Sequence, residues 1–391
     1  RRIQKNPNDD IYAEMLIWIY MKQNKFEMAL LQVKALDKRN KEDGERVMEM
    51  SELALNNHRY NVAIDGFSYV KAKGPKTYYY SAAMTGELSS LKAKVTEGKY
   101  DRLSIETLIG KYELALEELG TGASSSQIIL ELAHVMAFYE SKYDEAAIVE
   151  AADLISSTLS APGLSAMDEA ELKLKLADIY VLNGNIWEAS LLYGQVEKKF
   201  KYDEIGHQAK LKNALVFYYA GDFKWSQSQL DVLKGSTSKL ISNDAVELSA
   251  FITENLGIDS NMVALGMFAK MELMVAQHKY DSAFAQLDSI EAAFPGHDLG
   301  DNILFKRGEI WLELGEYEKS AESFLKIPEI YPFDILVDNA LMQGALINEN
   351  YLNNTEQAMA LYELILTEHS GSLFVVEARK RFRKLRGDTL Q

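Results

Sequence analysis

Cysteine is absent from the 391 residues, which excludes disulfides and thiolate metal sites and leaves reducing and oxidising compartments equally open. Proline occurs six times, so few positions stop a helix. The densest apolar stretch, Met15 to Met21, falls far short of the roughly 18 residues a spanning helix needs. Membrane association is therefore expected only through a region preceding Arg1 or through a partner. Positive charge is in deficit, with 42 Lys and Arg against 58 Asp and Glu and a net charge of −16. Nucleic-acid binding draws on clustered cations that release counterions, so nucleic acid is not an expected partner.

Catalytic signatures are missing as well. The chain holds no HExxH, GxGxxG, P-loop or GxSxG, and lone carboxylates on helices are too common to mark a site. The six histidines are scattered. The expectation is a protein that is not an enzyme and that carries no cofactor and no metal.

What is present is ordinary globular chemistry, 47% hydrophobic and 26% charged, over a length that favours several domains or an array that grows by stacking. Internal repeats decide for the array. His278, Tyr280, Ala283, Leu287 and Pro295 recur 37 residues later as Gly315, Tyr317, Ser320, Phe324 and Pro332. The same shift carries Tyr180, Gly184, Ile186, Ala189 and Tyr193 onto Phe217, Gly221, Phe223, Ser226 and Leu230. Near the start a shift of 34 takes Phe26, Ala29 and Val33 onto Tyr60, Ala63 and Phe67. The Gly or polar residue turns the chain, the aromatic two positions on packs across the helix pair, the small residue permits close approach, and proline ends the second helix.

These landmarks resemble the tetratricopeptide repeat, a helix–turn–helix of about 34 residues. The resemblance implies an all-α, right-handed superhelical solenoid of antiparallel helix pairs that binds other proteins or peptide segments. Repeat-like units fall at 10–40, 44–75, 127–158, 170–200, 207–236, 264–295, 301–332 and 338–370. A looser pair lies at Thr77 to Gly98 and Ser104 to Leu119. The reading divides the chain into an N-terminal arm over 1–119, a flexible Gly/Ser joint at 120–126, and a C-terminal arm over 127–391 with an irregular insertion near 235–262. Running the first register backwards puts Pro7 at a repeat end, so Arg1 to Asn6 reads as the tail of a helix belonging to a longer solenoid. The closing stretch from Ser370 to Phe382 resembles the end of bacterial envelope tetratricopeptide proteins, such as the β-barrel assembly lipoprotein and the Tol-Pal coordinator. That likeness implies a periplasmic location, at the outer membrane's inner face, with the cytoplasm as the alternative.

Candidate binding residues come from the first helices of the later units. Each carries an apolar pair seven apart, Leu174 and Val181, Leu211 and Tyr218, Phe268 and Val275, Phe305 and Leu312, which about two helical turns place on one face. That face lines a groove or packs on the next repeat, and the pattern leaves both open. The groove reading selects Leu211, Tyr218, Phe268 and Phe305 as a stripe, with Lys212, Glu272, Lys306 and Glu309 orienting a ligand. Most tyrosines, including Tyr60, Tyr143, Tyr180, Tyr193, Tyr280 and Tyr317, read as core. Of Tyr78, Tyr79 and Tyr80 at least one is expected to be exposed, because successive helical positions turn by about 100°. His58 and His278 occupy turn positions. The basic run Arg379, Lys380, Arg381, Arg383, Lys384, Arg386 reads first as cations facing a helix C-terminus, second as a contact for anionic lipid or an acidic partner. The function expected is a protein-interaction scaffold in an envelope or secretion-related assembly, the rival being a ligand- or peptide-binding sensor that moves the joint.

Overall fold

The structure, a computed structural model, describes residues 10–97, 100–256 and 262–388. Among them are twenty α-helices and no strand. The chain forms two compact units, Arg1–Val196 and Glu197–Gln391. The first contains α1 (Asp10–Lys22), α2 (Phe26–Asn40), α3 (Glu45–Asn56), α4 (Tyr60–Lys71), α5 (Tyr80–Thr96), α6 (Arg102–Leu119), α7 (Ser126–Phe138), α8 (Ala146–Leu159), α9 (Ala166–Leu182) and most of α10 (Ile186–Lys199). The second contains α11 (Glu204–Tyr219), α12 (Phe223–Leu233), α13 (Lys239–Glu254), α14 (Val263–Ala276), α15 (Tyr280–Ala293), α16 (Gly300–Glu313), α17 (Tyr317–Ile330), α18 (Val337–Asn350), α19 (Thr355–Glu368) and α20 (Val375–Arg386). Each unit is a run of helix hairpins stacked one on the next, the helical-repeat solenoid class. Arg1 to Asn6 and Pro7 lie outside the described residues.

The 37-residue register is visible in the helix ends. α14 and α15 begin at 263 and 280, α16 and α17 at 300 and 317, and α18 at 337. In six of the hairpins one residue turns the chain in the left-handed region: Asn24, His58, Gly184, Gly221, His278 and Gly315 have φ of 57, 57, 90, 78, 56 and 76°. The following amide then bonds back across the helix end, as in Arg59 N to Ala54 O at 2.8 Å and Glu316 N to Trp311 O at 2.9 Å. This is how a helix satisfies its last carbonyls and reverses, and His and Asn tolerate the conformation better than other side-chain-bearing residues. The small position is equally regular. Ser226 Oγ donates to Ala214 O at 2.9 Å and Ser320 Oγ to Gly308 O at 2.6 Å, tying second helix to first. At Gly308 a Cβ would come within 2.8 Å of the Phe324 ring, so the approach depends on glycine.

In the first unit one apolar cluster joins α2, α3 and α4, a second joins α5, α6 and α7, and a third α7, α8 and α9. The segment 120–126 is a tight turn closed by Ser125 Oγ on Gly120 O at 2.6 Å, and Tyr80, Tyr112 and Ile129 from its two sides share the second cluster. The compact units thus divide elsewhere than at 120–126. Tyr78 is 86% and Tyr80 8% exposed, as expected of that run. Tyr143 is a correction. It is exposed because a 3-10 turn, Glu140–Lys142, stands in place of the left-handed turn seen at Gly184 or His278 and leaves Tyr143 ahead of α8.

In the second unit the expected irregularity is the helix α13, fastened to α12 by a reciprocal pair, Gln227 Nε2 to Ser249 O at 2.9 Å and Ser249 Oγ to Gln227 Oε1 at 2.6 Å. Residues 257–261 of that expectation lie outside the described residues. α14 nevertheless packs on α11, with Ala214, Tyr218, Leu265 and Ala269 in one cluster.

Candidate functional site

Large aromatic side chains fill these cores, and each buried hydroxyl needs a partner. Tyr112, Tyr193, Tyr218 and Tyr362 are at most 2% exposed. Each donates to a carboxylate on a packed helix, Glu131, Asp178, Glu272 and Glu349 respectively, at 2.6–2.7 Å. Burial, with the neighbouring carboxylate, pushes the Tyr112, Tyr218 and Tyr362 hydroxyls well above the usual phenol range. They serve as neutral donors to the facing side chains.

The Tyr218 pair opens into a longer network. Glu272 on α14 accepts from Tyr218 through Oε2 and from Lys306 Nζ through Oε1 at 3.2 Å, and Lys306 also reaches Glu309 Oε2 at 2.6 Å. Burial alone would discharge Lys306, but the Glu272 and Glu309 carboxylates outweigh it and hold the ammonium charged above its ordinary range. One residue of the sequence-selected stripe, Tyr218, and three of its flanking charges, Glu272, Lys306 and Glu309, are thus brought together, as a chain of hydrogen bonds linking α11, α14 and α16.

The others fall differently. Tyr218 is 0% and Phe268 2% exposed, so their rings belong to the interior and offer no surface to a ligand. The ring centroids of Phe268 and Tyr218 lie 5.5 and 6.3 Å from that of Phe251, which comes from the inserted helix α13. Phe305 is half-buried with its centroid 5.0 Å from that of Phe324. Leu211 and Lys212 are half-buried on α11. Core packing accounts for Leu211, Tyr218, Phe268 and Phe305.

The later members of the last two pairs do reach a surface. Val275 and Leu312, with Ile310 and Phe324, form the apolar part of a cleft of about 370 Å³, and Lys306, Glu309, Glu313 and Gln343 form its polar part. Glu313 is engaged from the turn of the preceding hairpin, where Tyr280 hydroxyl donates to it at 2.5 Å and His278 Nδ1 stands 2.7 Å from that hydroxyl. The first unit repeats the arrangement with His58 Nδ1 2.6 Å from the Tyr60 hydroxyl and 3.0 Å from Glu97. There partial burial and Glu97 push Tyr60 up to about 12. Ile310, Glu313, Phe324 and Gln343 were not among the selected residues. The register held a signal for one of them, since Gln343 stands 37 positions after Lys306.

No family model and no curated protein matches the chain. Among solved structures, a tetratricopeptide repeat protein from Parabacteroides merdae is similar at 14% identity over 77% of this chain and 98% of its own, with a TM-score of 0.38. A Rap protein complexed with competence and sporulation factor is similar at 12% identity over 88% and 90%, with a TM-score of 0.36. A human IFIT1 dimer with PPP-AAAA is similar at 13% identity over 95% and 82%, with a TM-score of 0.38. The helical-repeat class of this chain rests on its own register of helix ends and turns.

Proposed function

We propose that the chain is a non-enzymatic tetratricopeptide-type scaffold whose second unit holds an extended segment of another protein in the cleft of α14, α16 and α18. The observation that carries this reading is the make-up of the cleft. Val275 and Leu312 offer partly exposed apolar surface over the buried Ile310 and Phe324, while Glu309, Glu313 and Gln343 stand beside it and the cleft's one ammonium, Lys306, is already engaged by Glu272 and Glu309. Such a cleft suits an apolar side chain next to a lysine or arginine, the apolar group for burial and the cation for the spare carboxylate lone pairs. Its volume suits one or two side chains of a segment. A polyphosphate would meet glutamates here, which speaks for a polypeptide ligand over nucleic acid.

A bacterial envelope setting, at the periplasmic face, is part of the same proposal and is supported by the resemblance of the Ser370 to Phe382 stretch. Fractionation of the native cells tests it, and recovery in the cytoplasmic fraction would remove it.

The ligand class is tested by selecting peptides from a random displayed library on the immobilised chain. Recovered sequences should pair Lys or Arg with Leu, Ile or Phe, and Glu309→Lys should abolish their capture. Acidic consensus sequences, or capture indifferent to Glu309→Lys, would overturn the reading.

A further inference from the structure

The second unit ends in an edge where the rules of its interior are inverted. α18 and α20 both pack on α19, and Arg381 Nη1 reaches Glu349 Oε2 at 3.1 Å. The two helices therefore run side by side in the same direction, and the loops that enter them emerge at the same end. Those loops carry Phe333 and Ile335 ahead of α18 and Leu373 ahead of α20, which are 101, 78 and 95% exposed, and Val376 in the first turn of α20 is 76% exposed. Unfilled packing does not explain them, because the next residues, Leu336, Phe374 and Val375, already pack on the core cluster.

From these tips to its far end α20 bears six cations against one acid, Glu377, in a chain of net charge −16. The helix dipole explains Arg383, Lys384 and Arg386 in the last turn, and Arg381 is held by Glu349 and Glu377. Arg379 and Lys380 lie mid-helix, beyond the reach of that dipole. Arg379 and Lys384 are exposed and form no ion pair among the described residues.

We infer that this edge is a peripheral membrane-binding surface for a bilayer with anionic headgroups. Phe333, Ile335, Leu373 and Val376 enter the boundary between headgroups and acyl chains, and Arg379, Lys380 and Lys384 reach the lipid phosphates. Single apolar wedges on loop tips suit a fluid surface that closes around each one, and an acidic protein face would leave them uncovered. The contact is peripheral, since no helix among the described residues is long and apolar enough to cross a membrane. The acidic remainder of the chain does not oppose it, because at physiological salt charges are screened beyond about 8 Å. The cations expected to sit at a helix end thus gain a second role, and the membrane is approached by the chain's own residues.

The experiment is flotation of the 391-residue chain with vesicles of phosphatidylglycerol and phosphatidylcholine, against vesicles of phosphatidylcholine alone. Because the chain has no cysteine, Phe333→Cys takes a single environment-sensitive fluorophore. The chain should float with the anionic vesicles only, the fluorophore should shift to the blue, and raising the salt should release both. Arg379→Gln with Lys380→Gln should lower partitioning about 10- to 30-fold, and Phe333→Ser with Leu373→Ser on the order of tenfold, with melting temperatures unchanged. Equal flotation on both vesicle types, or none, overturns the proposal. So does a concentration-dependent dimer, read by sedimentation, that the Phe333 and Leu373 changes dissolve, since the edge would then be an interface between copies.

Discussion

Tyr218 and Phe333 are both large rings of the second unit, and the difference between them separates what holds the fold from what is offered to other molecules. Tyr218 has no exposed surface, packs among α11, α12 and α13, and gives its hydroxyl to Glu272. Phe333 is fully exposed on a loop whose inward neighbour Leu336 has already taken the core position. Periodicity selects the first, because helical spacing records burial. Nothing periodic selects the second, because a loop tip that touches no other element leaves no repeat in the sequence.

The largest effect that can break this contrast is at Tyr218. Tyr218→Ala should cost about 3–5 kcal/mol in urea unfolding, the range for a large buried ring, because it leaves a cavity and removes a donor from Glu272. A loss below about 1 kcal/mol would mean that the ring is not core. Next comes the carboxyl pair at the base of the Phe333 loop. Asp301 is 4% exposed and shares a hydrogen bond with Asp334, whose Oδ1 accepts from Leu336 N at 2.9 Å. Burial, then Asp334, raises Asp301 from 3.8 to about 7. A raised carboxyl favours folding when protonated, so its contribution is complete below about pH 4, erodes between 4 and 7, and is gone above 7. Relative to Asp301→Asn, the native chain should therefore lose stability on the order of a few kcal/mol between pH 5 and 8. Parallel pH profiles for the two proteins would remove the shared proton.

Smaller again is Gly308→Ala, which presses a methyl on the Phe324 ring and should cost about 1–3 kcal/mol as overpacking. A neutral result would show that α16 and α17 can part without penalty. Smallest is Phe333→Ser, which should change stability by no more than about 0.5 kcal/mol. A larger loss would place Phe333 with Tyr218 and dissolve the contrast.

The hairpins were legible because most share the same three things: a residue that tolerates positive φ, as at Gly184 and His278; a small residue at the crossing, as at Ala283; and a large apolar or aromatic residue two positions after the turn, as at Ile186 and Tyr280. Glu272, Lys306 and Glu309 were legible as neighbours on one face, and the structure joins them. Seven-residue spacing fixes a face and not a depth, so it could not tell that α13 would bring Phe251 over Phe268 and Tyr218 and shut them in. Gln343 and Phe324 join the cleft through stacking of α16, α17 and α18, a contact between successive hairpins that local pattern does not encode.

The cleft is tested most directly by a charge series at one position. Gln343 lines it, so the affinity of one selected Lys- or Arg-bearing peptide is measured against Gln343→Glu, the native chain and Gln343→Lys. An added carboxylate should tighten binding and an added ammonium weaken it, each by about 3- to 10-fold at low salt, with both effects shrinking as salt rises. A merely structural role for Gln343 would move both variants the same way, and two variants that bind like the native chain would contradict the assignment of this cleft as the place where the protein holds its partner.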